Sequence, residues 1–186
     1  MVLSGLAGGW SEVTNLLDHA RSTLVADEAS LLLLDTSGVM LVPVATSGLD
    51  SPARTGFRVP VGAGFAGRVL ATARPLVLAE ISPETVLNPA LHRRGIRSLL
   101  GVPVSNGRVP LGVLHVGSEN PRHFTAKDTA VLEDIAEQLT AEVLRRRSSE
   151  EHIAALALQS VNVPDTLVNG VRPSDHDPLI AVFTVK

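Results

Sequence analysis

The stretch RSLLGVPVSNGRVPLGVLHVGSE, residues 97–119, decides the fold of this chain. Two apolar runs rich in Leu and Val flank the pair Asn106-Gly107, and both residues tolerate the positive φ angles of a type I′ turn. The pattern therefore predicts a β-hairpin. Because both arms combine apolar and small residues, we expect them at the centre of an antiparallel sheet.

Apolar periodicity and turn residues predict further elements before this hairpin. An amphipathic helix capped by Ser11 comes first, and two paired strands and a loop follow it. A strand, a short helix and another strand come next, and then an irregular stretch whose prolines exclude a long helix. The expected ranges are 11–25, 29–35, 39–46, 47–56, 57–61, 64–73, 75–81 and 82–94.

One long helix is predicted to follow the hairpin. Thr125 and Asp128 have the spacing of a capping box at its start. If the helix is unbroken to Val161, it is about 50 Å long, which exceeds the width of a small domain. We therefore expect a homodimer through the terminal helices, in a parallel bundle. The apolar stripe predicted to form the dimer contact is Leu132, Ile135, Leu139 and Val143.

Composition excludes several classes of function. The 186 residues are 45% hydrophobic and 3% aromatic with a formal charge of −3, so any pocket is aliphatic and nucleic acid is not an expected partner. The absence of cysteine excludes disulfides, thiolate metal sites and thiol redox chemistry. No stretch has the pattern of a signal peptide or the length of a membrane span, so we expect a cytoplasmic protein without a membrane partner.

Four stretches resemble the GAF domain, a small sensor module: 59–81, 97–104, 112–119 and 124–138. The resemblance implies an α+β, GAF/PAS-like fold. In that fold a central antiparallel β-sheet has N- and C-terminal helices on one face and a loop-covered pocket on the other. The chain is then divided into a flexible N-terminus (1–9), a GAF sensor domain (10–144), a helical connector (145–163) and a tail (164–186). The tail is native structure, a degenerate domain start or a cloning remnant.

Residues 148–165 resemble the connector that follows GAF or PAS sensors in bacterial regulatory phosphatases of the metal-dependent serine/threonine class. The metal motifs of those phosphatases are absent. The resemblance implies a non-catalytic sensor that relays a conformational change through a dimeric connector to an output domain outside this chain, a phosphatase in preference to a histidine kinase. Two alternatives stay open: a haem- or redox-sensing GAF domain of a histidine kinase, and a constitutive dimerisation scaffold.

Three short motifs resemble functional signatures but have simpler explanations. Residues 62–67 spell GxGxxG, yet the preceding strand carries Arg58 and Pro60, whereas a dinucleotide site needs an uninterrupted apolar strand. Phe124 and Asp128 match only part of the cyclic-nucleotide GAF motif, so a helix cap is preferred. His176 lies in a segment similar to the last motif of the endonuclease/exonuclease/phosphatase family, but the metal-binding carboxylates are missing and no catalytic residue is assigned.

The GAF interpretation places Phe65, His92, Leu99 and His115 around one cavity between the sheet and the 82–96 loop. Such pockets are mostly apolar with a few convergent polar groups, which the two imidazoles would supply. His115 is alternatively a core histidine that bonds a backbone carbonyl. The expected ligand is an unknown small molecule. No cofactor is required, haem bound by His92 is the alternative, and no metal site is predicted.

Overall fold

The computed structural model describes residues 10–49 and 57–161, with side chains as far as Glu151. Its helices and strands are, in chain order, α1 (Ser11–Thr23), β1 (Glu28–Leu34), β2 (Met40–Ser47), β3 (Val59–Pro60), α2 (Gly64–Thr72), β4 (Leu76–Leu78), α3 (Pro89–Arg94), β5 (Ser98–Asn106), β6 (Val109–Ser118) and α4 (Ala126–Val161).

The six strands form one antiparallel sheet in the order β3-β2-β1-β6-β5-β4. The predicted hairpin supplies β5 and β6, and β6 pairs with β1 at the centre. The edge strands β3 and β4 have only two and three residues, which limits the backbone left open to pairing with another chain. The predicted α+β fold with a central antiparallel sheet is thereby confirmed.

The sheet separates two hydrophobic clusters, because side chains of a strand alternate between its faces. On one face α1 and α4 pack over residues such as Leu31, Leu100, Leu114 and Val116. On the other face α2, α3 and the segments around them cover Leu32, Leu99 and Val113. Adjacent residues of the same central strands therefore contact different layers of the molecule.

The apolar stripe of α4 packs inside the chain itself. Leu132, Ile135, Leu139 and Val143 are each at most 2% exposed and belong to the cluster that contains α1 and the sheet. The assignment of these four side chains to a dimer contact is therefore wrong, because they have no free surface for a second copy. Association through other faces of the terminal helices stays a prediction.

The hairpin turn differs by one residue from the prediction. Asn106 pairs with Val109 at the end of the ladder, so the two loop residues are Gly107 and Arg108. Gly107 has φ +60°, and Arg108 is not among the residues with positive φ. These signs fit a type II′ turn, which needs glycine at its first central position, and not the predicted type I′ turn.

Two helix starts also differ from the sequence prediction. Ser11 is the first residue of α1 and does not cap it, since its hydroxyl donates to Glu12 Oε2 at 3.0 Å. The segment expected to be irregular contains α3, which begins at Pro89 behind the capping side chain of Asn88. Proline is tolerated at the first helical position because its missing N–H would be unpaired there in any case.

The capping box at the start of α4 is confirmed. Asp128 Oδ2 accepts from the Thr125 N–H at 2.8 Å and from its hydroxyl at 2.9 Å, and the Asp128 N–H donates to Thr125 Oγ1 at 3.2 Å. Burial raises the pKa of Asp128. Its hydrogen bonds with Thr125 and the charge of Arg122 outweigh that effect and hold this pKa below its ordinary value of 3.8.

We predict that Asp128→Asn lowers the free energy of unfolding in a pH-dependent way. A carboxyl whose pKa is lowered in the folded state stabilises fully above its unfolded pKa, and the stabilisation disappears as the pH falls through the folded value. Urea unfolding at neutral pH should therefore show wild type as the more stable protein, and the difference should shrink on acidification below the ordinary value of 3.8. A difference that stays constant with pH would contradict this account.

Val25 ends α1 in a conformation that glycine usually adopts. Its φ is +48°, and the N–H groups of Ala26 and Val25 donate to the carbonyls of Arg21 and Ser22. This is the bonding of a Schellman motif, in which the left-handed position after the cap is commonly glycine. A β-branched side chain at positive φ is strained, and this one is 79% exposed, so it gains little from packing.

We predict that Val25→Gly raises the free energy of unfolding by about 1 kcal/mol, because it relieves the left-handed strain. The matched control is Val109→Gly, in β6, where the valine is 59% exposed and has no positive φ. There the same change should destabilise, since glycine in a strand loses more backbone entropy on folding. Equal effects of the two substitutions in chemical denaturation would refute the assignment of strain to Val25.

The chain divides into two units between Arg147 and Ser148, and the first unit contains the sheet. The predicted N-terminus 1–9, residues 50–56 of the predicted loop, and the tail 164–186 with His176 lie outside the described residues. The side chains of residues 152–161, which include the end of the predicted connector stripe, also lie outside them. Within the described residues, no helix combines the length and the apolar character that a membrane crossing requires.

Candidate functional site

A buried acid and a buried histidine meet on the pocket side of the two central strands. Glu28, the first residue of β1, is 0% exposed, and His115 of β6 is 3% exposed. Nδ1 of His115 lies 2.9 Å from Oε1 of Glu28. The hydroxyl of Ser30, also on β1, donates to the second carboxyl oxygen at 2.9 Å. Buried polar groups need such partners, because an unpaired one loses its hydration without compensation.

Strand register and a glycine make this contact possible. His115 is paired with Ser30 across the β1–β6 ladder, so Glu28 lies opposite Gly117 and reaches His115 diagonally. A Cβ on Gly117 would lie 2.7 Å from Glu28 Oε1, closer than real Cβ contacts allow. The missing side chain at Gly117 therefore leaves the space that the carboxyl group occupies.

A small cavity lies beside the His115 ring, between the sheet and the covering segments. Its volume is about 20 Å³, roughly enough for a single water molecule. The wall is apolar except for two side chains, His115 and Asn88. The lining residues are Leu32, Phe57, Val59, Phe65, Ala66, Val86, Leu87, Asn88, Leu91 and His115.

The structure brings together two of the four residues predicted at the pocket. Phe65 and His115 both line the cavity, and their rings meet edge to face with centroids 6.1 Å apart. Leu99 does not line it, because this side chain is fully buried within the hydrophobic cluster on that face. His92 is not among the lining residues either, and its half-buried ring has Nε2 2.7 Å from the carbonyl oxygen of Val86.

The contact between His92 and Val86 bears on the haem alternative. A carbonyl oxygen accepts, so Nε2 of His92 carries the hydrogen in this contact. Haem iron needs an unprotonated imidazole nitrogen, which leaves only Nδ1 of this residue in the observed arrangement. The cavity beside His115 is also far smaller than a porphyrin. No feature of the described residues favours haem over other ligands.

Sequence reasoning missed Glu28 and Asn88. The prediction began the first strand at Ala29 and so left Glu28 outside the sheet. The available signal was the alternation Glu28, Ser30, Leu32, which continues the pocket-facing side of the strand toward its start. Asn88 precedes Pro89, a pair that is typical of a helix N-cap followed by the first helical residue, and this signal was also present in the sequence.

The GxGxxG segment forms a turn and the start of α2 next to the cavity. Gly67 allows α2 to lie close to the chain around β3, because a Cβ there would lie 2.3 Å from the carbonyl oxygen of Pro60. The strand that precedes the segment is a two-residue edge strand of an antiparallel sheet. A dinucleotide fingerprint instead follows a central parallel strand, so the glycines here are turn and packing residues.

The described residues hold no group of three or more His, Cys, Asp or Glu side chains that could bind a metal ion. The polar chemistry beside the cavity consists of one acid–imidazole pair, a serine hydroxyl and an asparagine amide. This set can donate and accept hydrogen bonds in an apolar enclosure, which is the usual composition of a small-molecule binding site.

Together, the curled antiparallel sheet and the helices that cover it define a small α+β domain. A family model of the GAF domain matches residues 12–143, and the chain belongs to this family, whose fold is sensory and regulatory. No curated protein matches the chain.

Solved structures are similar over most of the chain. The GAF domain of a phosphoenolpyruvate-protein phosphotransferase from Coxiella burnetii has 25% identity and a TM-score of 0.69, covering 80% of this chain and 89% of that one. The corresponding domain from Acinetobacter has 20% identity and a TM-score of 0.67, with the same coverage of 80% and 89%. Free methionine-R-sulfoxide reductase from Neisseria meningitidis has 24% identity and a TM-score of 0.61, covering 78% and 86%. The last two similarities concern the fold alone.

We predict that Glu28 and His115 are energetically coupled. His115→Phe alone leaves the Glu28 carboxyl buried without its partner and should lower the free energy of unfolding by about 3 kcal/mol or more. The double variant Glu28→Met/His115→Phe removes both polar groups and should recover most of that loss, since apolar replacement of a buried pair is often neutral. A double-mutant cycle in urea measures the coupling, and additive effects would contradict it.

Proposed function

We propose that this chain is a non-catalytic sensor domain that binds a small molecule in the cavity beside His115 and relays the event through α4 to an output domain. The observation that carries the proposal is the double role of the central strands. On one face β1 and β6 present Glu28 and His115 beside the cavity. On the other face their sequence neighbours Ala29 and Leu114 belong to the cluster that contains the buried stripe of α4.

In this proposal each of the two central strands contacts the cavity on one face and the layer of α4 on the other, so no long chain of contacts is needed between them. A change in the position of β1 or β6 at the cavity alters the packing surface of α4 one residue away along the strand. Packed interfaces respond to such shifts by moving between discrete arrangements, which is how helix displacements arise in other switching proteins.

A polar contact between α1 and α4 supports the helix relay. Arg146 Nη2 lies 2.6 Å from Glu142 Oε1 and 3.6 Å from Glu12 Oε2, and the guanidinium lies over the ring of Trp10 at 5.0 Å. This group joins the start of α1 to α4 immediately before the boundary between the two units. Both terminal helices are therefore in a position to move together.

The absence of cysteine supports a non-catalytic role despite the similarity in fold to a sulfoxide reductase. Reduction of a sulfoxide takes two electrons, and this chain has no thiol to deliver them. The output domain that we propose is a metal-dependent serine/threonine phosphatase, on the ground of the connector-like residues 148–165. A homodimer through the terminal helices, with contacts other than the buried stripe, would transmit the movement to that domain.

The test is native mass spectrometry of the gently purified chain, combined with backbone hydrogen exchange. We expect wild type to retain a small molecule that Ala66→Val releases, because Ala66 lines the cavity and two added methyl groups exceed its free volume. Ala71→Val, on the exposed side of the same helix, is the matched control and should retain the molecule. Removal of the molecule should also change the exchange rates of α4.

Two results would contradict the proposal. A chain that carries no small molecule and gains none from a cell extract would support the scaffold alternative, which sedimentation analysis would test through the oligomeric state. A molecule that binds without any change in α4 would support ligand binding but refute the relay, since a ligand shifts an equilibrium only if it prefers one of the two states.

A further inference from the structure

We infer that the cavity takes a small aliphatic molecule with a carbonyl or carboxylate oxygen, which accepts hydrogen bonds from Nε2 of His115 and from the side-chain amide of Asn88. The inference rests on the proposed sensor function and adds the chemical class of the ligand. It follows from which polar atoms of the cavity-lining side chains already have a hydrogen-bond partner and which do not.

The first step concerns the charge of the buried pair. Glu28 is 0% exposed, and within the described residues His115 is the one side chain able to carry positive charge within 4.0 Å of its carboxyl group. A net negative charge enclosed in this way would lack a counter-charge, which is strongly unfavourable. A pair that is neutral as a whole, with two protons shared between the carboxyl group and the imidazole, avoids this cost.

The second step follows from the Nδ1 contact. If Glu28 is ionised, Nδ1–H donates to it and the imidazolium also carries a hydrogen on Nε2. If Glu28 is protonated, its O–H donates to Nδ1 and the neutral ring again carries its hydrogen on Nε2. Both neutral arrangements place a donor at Nε2, and within the described residues this nitrogen has no acceptor. His115 is 3% exposed and lines the cavity, so a molecule inside the cavity can supply this acceptor.

Asn88 independently presents a donor to the same space. Its Oδ1 accepts from the N–H of Ala90 at 3.0 Å and so caps α3. Because the oxygen is engaged in the cap, the NH₂ with its two donor hydrogens is the group of this lining side chain that can donate to a ligand. Both polar side chains of the cavity wall therefore donate, and they select against a ligand that also donates.

The apolar wall determines the rest of the ligand. Leu32, Val59, Phe65, Val86 and Leu91 surround the two donors, so a branched or short aliphatic body fits this surface. Entry of more than one or two atoms requires the wall formed by residues 86–91 to move outward. Leu87, at 42%, is the most exposed of the cavity-lining residues in that wall.

The test compares four probes of similar shape: methyl isopropyl ketone, isobutyrate, isobutylamine and isopentane. Nitrogen NMR of the histidine rings, with His115 assigned through the double variant Glu28→Met/His115→Phe, measures both protonation at Nε2 and probe binding. We expect a hydrogen on Nε2 before any probe is added. The ketone and isobutyrate should bind at least tenfold more tightly than isobutylamine and should shift the Nε2 signal.

Asn88→Asp is the decisive variant, because aspartate keeps the N-cap oxygen and removes the donor. It should weaken binding of the ketone about fivefold, which corresponds to the loss of one neutral hydrogen bond. Binding of isobutyrate should weaken more strongly because of charge repulsion, and binding of isopentane should not change. Asn106→Asp, on the exposed hairpin, makes the same change in charge away from the cavity and should alter none of the affinities. The double variant should lose the preference for the ketone and keep its affinity for isopentane.

Three results would overturn the inference. An unprotonated Nε2 would mean that the Glu28–His115 pair is not neutral. Tighter binding of isobutylamine than of the ketone would mean that the polar groups of the wall accept hydrogen bonds instead of donating them. Failure of all four probes would exclude this ligand class, and the sensor proposal would still stand if a co-purified molecule is lost in Ala66→Val. Failure of the probes together with the absence of any co-purified molecule would refute both.

Discussion

The pairing of β1 with β6 is the constraint on which the rest of the structure depends. Both strands are covered on both faces, so the polar side chains they carry are removed from bulk water and need hydrogen-bond partners. Glu28 meets this requirement through His115 and Ser30, and the space for its carboxyl group exists because Gly117 has no side chain. The ladder register and the contact with Glu28 thus hold the histidine ring in place.

The sequence predicted those elements whose signal is local. The hairpin, the strands that precede it and the capped helix α4 were predicted correctly in type and order, because apolar periodicity, Asn-Gly and a capping box each act within a few residues. The exact turn was not predicted correctly. Asn106-Gly107 and Gly107-Arg108 are both plausible two-residue loops, and the choice between them depends on the register of the whole ladder.

The site was less predictable because its contacts are distant in sequence. Glu28 and His115 are separated by 87 positions, and no local pattern joins an acid at the start of one strand to a histidine in another. The apolar stripe of α4 also shows that a local pattern does not identify a distant partner. Periodicity correctly identified Leu132 and Leu139 as an apolar face, but a stripe does not say whether a sheet of the same chain or a second copy covers it.

The cavity wall and the buried pair differ in how fully they are packed, and this difference bears on the proposed relay to α4. The wall at residues 86–91 includes the half-exposed Leu87, whereas the central strands are packed on both faces, so a molecule that only occupies volume displaces the wall and leaves β1 and β6 in place. In the proposed function, a molecule that bonds His115 would act on the strand itself. Recognition at the ring nitrogen and coupling to the helix layer would then be the same event, and an apolar molecule that binds equally well would leave the helices unchanged.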